Sequence, residues 1–289
     1  MLWQGRRESG NVDDRRGISG GGLAIGGGLI GAIILVLQFF MGGGDPSTLP
    51  SQFPAQITEL SPQEQAADEE RAKFVKTVLA DTEDVWSEIF RSSGEDYPEP
   101  VLVLFRNATE SGCGYASSAT GPFYCPADSR LYIDLSFYQD LQDRFQAPGD
   151  FAMAYVVAHE VGHHIQHVLG LSEKMARLRQ ELSKEEYNKY SVKLELQADF
   201  YAGVWAHFEK GKGYLEIGDV EEAMNAAQAI GDDRLQKQAQ GYVQPESFTH
   251  GTSAQRMYWF KKGYETGDIR QGDTFNDPSL AVLSRRSKN

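Results

Sequence analysis

From Leu23 to Met41 the chain reads LAIGGGLIGAIILVLQFFM, nineteen residues without a charge and with Gln38 the only strongly polar side chain. At 1.5 Å per residue the stretch reaches about 28 Å as a helix, close to the roughly 30 Å hydrocarbon core of a bilayer. One transmembrane helix over 23–41 is therefore expected. A secretory signal fits less well, because its apolar core is usually shorter and no small-residue cleavage site follows Met41. Arg6, Arg7, Arg15 and Arg16 precede the stretch, and the next basic residue is Arg71. The positive-inside rule then makes residues 1–22 a cytoplasmic basic tail, puts the chain in the cell membrane as a single-pass protein, and places everything beyond Met41 in the periplasm or outside the cell. Gly22 and Gly26, like Gly27 and Gly31, have the small-xxx-small spacing that permits weak helix-mediated self-association in a bilayer.

Residues 42–63, rich in Gly and Pro and without a basic side chain, read as a linker to an external domain over 64–289. The chain carries 28 Lys plus Arg against 41 Asp plus Glu, so a basic face able to track phosphates is not expected and nucleic acid is excluded as a partner. Two Cys in 289 residues rule out a disulfide-dense scaffold and a four-thiolate metal site, so any metal must be held by His and carboxylate. On the oxidising side of a membrane Cys113 and Cys125 are expected to form a disulfide, whose loop closure contributes roughly 3 kcal/mol.

Within the domain, Phe74, Val78, Val85 and Ile89 recur at helical spacing, which predicts a long amphipathic helix over 63–92 with an interruption near Asp81 left open. VLVLF at 101–105, a short strand around Phe123 and Tyr124, and LYIDLSF at 131–137 predict a small antiparallel sheet. A helix N-capped by Asp150 runs to Gly170, and a second starts at a capping box of Ser183 and Glu186 and runs to Gly211. Residues 219–238 and 253–267 also read as helical. The class is α+β with helices dominating.

Four of the six His lie in AHEVGHHIQH, where His159, Glu160 and His163 form HExxH. On a helix, residues four apart face the same way, so both imidazoles can bind one ion with Glu160 at the edge of that face, the helix signature of zinc proteases. A catalytic zinc takes three protein ligands and leaves a position for water. The metzincin continuation is excluded, because Gln166 and Leu169 stand where it needs Gly and His. His164 points off the ligand face and His167 lies a turn too far, so both read as polar surface or outer-layer residues. The third ligand is expected from another helix, and Glu195 is the natural choice. Asp199, four residues on in the mostly apolar KLELQADFYAG, faces the same way and suits the free ring N–H of His159.

HEVGHHIQ followed by ELQADFYAG, with GPFYCPADSRLYIDLSF and RRESGNVDDRRG before them, resembles the bacterial neutral zinc metallopeptidases, and the resemblance covers essentially the whole chain. It implies a gluzincin-like, zincin-type metalloendopeptidase domain behind a single anchor. One zinc ion per chain would be held by His159, His163 and Glu195, with Glu160 as catalytic base and Asp199 as support. THGTSAQR at 249–256 is similar to the TH-x5-R signature of CAAX-type and heat-shock membrane proteases, although Gly251 replaces their usual Pro. His250 or Arg256 would then stabilise an oxyanion; equally, His250 caps a helix and Arg256 pairs with a carboxylate.

The expected function is a membrane-anchored, zinc-dependent hydrolase that cuts peptide or protein substrates. Zinc would lower the pKa of its water to roughly 7, and Glu160 would take the proton and pass it to the departing amine. The alternative is a membrane-anchored binding or assembly protein with a structural or vestigial zinc site. It is disfavoured because a structural ion needs no Glu160 and usually has four protein ligands. The strand at Leu131–Phe137, or the one near Phe123, is the candidate edge for aligning a peptide.

Overall fold

A computed structural model describes residues 1–17 and 61–280. The apolar stretch 23–41, nearly all of the 42–63 linker and the last nine residues lie outside the described residues. Among the described residues, no helix is long and apolar enough to cross a membrane.

Helix α1 (Pro62–Ser92) begins at a capping box in which Ser61 accepts from the Glu64 N–H and Glu64 reaches back to the Ser61 N–H. It passes Asp81 without a break, because Asp81, Thr82 and Glu83 are buried and take partners rather than solvent. The main sheet joins β1 (Val12–Asp14), β2 (Val101–Phe105), β5 (Phe123–Cys125) and β6 (Arg130–Asp134) in the order β1-β2-β6-β5. It is not the antiparallel sheet expected: β1, β2 and β6 run parallel, and only β5 opposes β6. The connection from β2 to β6 is long enough for a parallel crossover. It holds the separate hairpin β3 (Ala108–Ser111) and β4 (Gly114–Ser117), and then β5. The run 131–137 ends as strand at Asp134, whose carboxylate accepts from the Asn107 and Ser136 N–H groups and turns the chain into α2 (Phe137–Asp143).

VLVLF is buried on both faces, which is why it shows no polar alternation. Leu102 and Leu104 join Leu131 and Ile133 in the core shared with the helices, while Val103 and Phe105 pack with Cys125 and Tyr132 on the other face.

Helix α3 (Asp150–Val168) is capped by Gly149 rather than by Asp150, which is the first helical residue. Gly149 has φ 119°, and the Glu222 carboxylate, which accepts from the Phe151 N–H, fills the space a side chain there would need. A helix not expected from the sequence, α4 (Leu171–Glu181), follows Gly170 directly. Helix α5 (Lys184–Gly211) starts at the Ser183–Glu186 capping box. Gly231 splits the next helical stretch into α6 (Asp219–Ala229) and α7 (Asp232–Gln240), and α8 (Ser253–Thr266) is capped by Thr252.

Two close helix crossings set the positions of everything that follows. A Cβ on Gly162 of α3 would lie 2.9 Å from the Ala198 carbonyl of α5. A Cβ on Gly203 of α5 or Gly263 of α8 would lie 2.0 or 2.1 Å from the facing backbone. Only glycine lets these backbones approach so closely.

Residues 1–17 are not a separate tail, and the domain boundary drawn at residue 22 does not describe them. Val12, Asp13 and Asp14 pair with Leu102, Val103 and Leu104, and the segment runs back across α1. Ser9 N–H donates to the Lys76 carbonyl and Leu2 N–H to that of Tyr214. Arg6 pairs with Asp81 and Glu209, Arg7 with Glu83 and Asp84, and Arg16 with Asp68 and Glu69.

Burial and the neighbouring Glu209 charge lift the Asp81 carboxyl to about 7, against the pull of Arg6. An unfolded Asp titrates near 3.9, so the folded protein favours protonated Asp81. That contribution is complete below about pH 4 and is lost as pH rises through about 7. Asp81→Asn, which cannot ionise, is therefore expected to raise the melting temperature relative to wild type more at pH 8 than at pH 5. Thermal unfolding at both values checks this, and an equal difference at the two would contradict it.

Candidate metal centre

The crossing of α3 and α5 at Gly162 and Ala198 brings His159 and His163 to face Glu195, less than one turn before Ala198. His159 Nε2 lies 3.2 Å from Glu195 Oε2, and His163 Nε2 lies 3.5 Å from Glu195 Oε1. One ligand atom from each residue falls within 4.8 Å of the others. Two imidazole nitrogens and a carboxylate at this spacing fit three positions of a tetrahedral divalent ion such as zinc.

Each ring is fixed from behind. His159 Nδ1–H donates to Asp199 Oδ1 at 2.9 Å, and His163 Nδ1–H donates to Gln166 Oε1 at 2.9 Å. Gln166 is itself held, its Nε2 donating to the Leu194 carbonyl and to Gln197 Oε1, while Gln197 donates to the Gly272 carbonyl. With both Nδ1 atoms committed, both Nε2 atoms are directed at Glu195, as metal-binding imidazoles require.

Asp199 is 0% exposed and takes bonds from two other helices. Tyr155 of α3 donates to it at 2.5 Å, and Arg256 of α8 donates through Nε at 2.8 Å and Nη2 at 2.9 Å. Burial alone would raise its pKa, but Arg256 and His159 outweigh burial and hold it at about 2. Burial likewise opposes a charge on His159, yet Asp199 and Glu195 lift that ring to about 9. A divalent ion bound at Nε2 therefore competes with a proton that the two carboxylates favour. Glu195 lies well below the usual carboxylate range, because the surrounding histidines outweigh the cost of burial.

The other expected residues fall in distinct places. Glu160 is buried on the same helix, and its charge acts on His163. Arg256, 2% exposed, uses its guanidinium on Asp199, Tyr155 and the Ile230 carbonyl, which is the carboxylate-pairing alternative rather than the oxyanion one. His250 caps no helix, since Thr252 caps α8. Its Nδ1 lies 3.2 Å from Asp232 Oδ1, its N–H donates to Asp232 Oδ2, and the Glu195 charge acts on the ring. His164 is no surface residue: Nε2–H donates to the Pro98 carbonyl and Nδ1 accepts from the Tyr124 hydroxyl, and burial presses its pKa down to about 4. His167 is half-buried against the Tyr124 ring. Cys113 and Cys125 are bonded, tying the turn of the β3–β4 hairpin to the end of β5.

Three residues of the site were not singled out from the sequence. Tyr155 precedes His159 by four positions and Gln166 follows His163 by three, so helical spacing would have placed both beside the rings they serve. Asp232 carried no such signal, because only the fold brings α7 under the 249–251 loop. A second acidic group, Asp150, Asp219 and Glu222, lies around the Met1 ammonium, which pairs with Asp150 and Asp219.

A histidine pair on one helix and a carboxylate from a second, in a helix-dominated α+β fold with a mixed sheet, define a candidate divalent-metal site. The chain belongs to the family described as "Putative neutral zinc metallopeptidase", which it matches over residues 1–275. It is 50% identical over 283 residues to the uncharacterized protein YpfJ of Escherichia coli K12, a match covering 95% of this chain and 99% of that one. It is also 40% identical over 256 residues to the uncharacterized protein Mb2605 of Mycobacterium bovis, covering 82% and 85% of the two chains. No solved structure matches it significantly.

Loss of the carboxylate that fixes a metal-binding ring commonly lowers metal affinity about 10–100-fold. Asp199→Asn is expected to weaken zinc binding by that order while keeping one ion per chain. Competition against a chromophoric chelator, with thermal unfolding followed in parallel, measures it; unchanged affinity in a folded variant would remove Asp199 from this role.

Proposed function

We propose that the protein is a zinc-dependent peptidase acting on peptide or protein substrates. The observation that carries this reading is the convergence of His159, His163 and Glu195 on one point, with Glu160 on the same helix turn. Zinc held by these three residues would polarise the scissile carbonyl and acidify an attacking water to a pKa of roughly 7. Glu160 takes the proton from that water as the C–O bond forms, and delivers it to the amine as the C–N bond breaks. His250, oriented through Nδ1 by Asp232, donates to the developing oxyanion. Arg256 works at one remove, by holding Asp199 against His159.

Strand β5 aligns the substrate in this reading. The strand at 131–137 is unsuited, because β6 lies between β2 and β5 and has no open edge. β5 is an outer strand, and the bond from the Tyr124 hydroxyl to His164 fastens it to the helix that carries the metal-binding histidines. An extended peptide adding to it would run beside the site. The apolar 23–41 stretch would keep the enzyme, and hence its substrates, at a membrane.

Glu160→Gln is expected to keep bound zinc and lose peptide hydrolysis, and His250→Ala to lower turnover about 10²–10³-fold, the usual cost of one oxyanion donor. Metal analysis and a quenched-fluorescence peptide library test both. The Glu160→Gln protein also serves as a trap for crosslinking substrates in cells. Hydrolysis that survives Glu160→Gln in zinc-loaded protein would refute the mechanism.

A further inference from the structure

The four arginines ahead of the apolar stretch have partners inside the fold. Arg6, Arg7 and Arg16 bind carboxylates on α1 and α5, all beyond residue 61. Arg15 pairs with Asp13 and also donates to Thr109 Oγ1 and the Glu110 carbonyl, and Asp13 in turn accepts from Arg130. The partners are built to receive them. Glu83, 2% exposed, takes Arg7, the Ser9 hydroxyl and the Asn11 amide, and Glu209, 0% exposed, takes Arg6, whose guanidinium also lies 3.4 Å over the Tyr214 ring. Trp3 meets Phe74 edge to face, and β1 completes the sheet beside β2.

We infer that residues 1–17 and 61–280 lie on one side of any membrane the chain meets, so that the nineteen apolar residues between them do not carry the chain across. Neighbouring strands of a sheet are about 4.8 Å apart, whereas a bilayer core is about 30 Å thick. A single crossing between Val12 and Leu102 and the ladder that joins them exclude each other. The arginines that suggest an N-terminus held in the cytoplasm are spent on ion pairs, so they no longer report which side faces which flank. This inference is independent of whether the site hydrolyses peptides.

Two single-cysteine reporters in the full-length membrane-associated protein test it. Gly10→Cys sits where a Cβ meets nothing within 4 Å, and Glu88→Cys lies on the exposed face of α1. Intact and lysed spheroplasts are treated with a membrane-impermeant maleimide, and peptide mapping separates the new thiol from Cys113 and Cys125. Both reporters are expected to label alike, either both in intact spheroplasts or both only after lysis, and the pattern also assigns the compartment. One reporter labelling in intact spheroplasts and the other only after lysis would overturn the inference. Arg7→Cys with Asp84→Cys, whose native charges are 2.8 Å apart, is expected to crosslink within one chain through a short bismaleimide in membranes. Absence of that crosslink would overturn it as well.

Discussion

The Asp199 carboxylate is the constraint from which the site is organised. A charge with no access to water must be matched by hydrogen bonds and opposite charge, or it costs several kcal/mol. Here the match comes from Tyr155 and His159 on α3 and from Arg256 on α8, converging on a residue of α5. Satisfying one carboxylate therefore fixes three helices relative to each other. The glycines at 162, 203 and 263 make this possible, since a side chain at any of them would hold the backbones apart and leave the carboxylate short of its partners.

A buried ion pair is weak evidence for stability, because desolvation offsets much of the attraction. Its effect here is orientation. Arg256 grips Asp199 through two nitrogens, and the remaining capacity of Oδ1 goes to Tyr155 and His159 Nδ1. The ring then has one available tautomer for metal binding, with Nε2 turned to Glu195. His163 reaches the same condition by a neutral route through Gln166 and Gln197 to the Gly272 carbonyl. One imidazole is thus fixed by charge and the other by an amide relay.

Local periodicity made His159, His163, Glu195 and Asp199 legible as a group, because each pair is four apart and a helix places such pairs on one face. The capping box at Ser183 was equally local. What the sequence did not disclose depends on remote pairing. β1 is three residues long and mostly polar, with no alternation to mark it, and its partner lies about ninety residues away. The parallel order of β1, β2 and β6 has no local signature either, since VLVLF reads the same in either direction of pairing. The fold partners of the arginines at 6, 7, 15 and 16 were not legible either, because a charge flanking an apolar stretch looks the same whether it faces lipid headgroups or a buried carboxylate. For His164 helical phase says only that it lies off the ligand face, as polar surface or an outer-layer residue, and nothing of the Pro98 carbonyl and Tyr124 that cover it.

The N-terminal segment also bears on the site through the sheet. With β1 added to β2, the sheet has two outer strands, β1 and β5. β1 carries Asp13 and Asp14 in ion pairs with Arg15, Arg16 and Arg130, and a short charged strand discourages further pairing. β5 carries Phe123, Tyr124 and Cys125 and lacks such charges. It is also held at both ends, by the stacking of Phe123 on Tyr132 and by the Cys113–Cys125 bond, with Asp128 accepting from Gly112 N–H and the Tyr132 hydroxyl nearby. One outer strand is thus short and charged, whereas the other is uncharged, braced, and tied through Tyr124 and His164 to α3, the helix that carries His159 and His163.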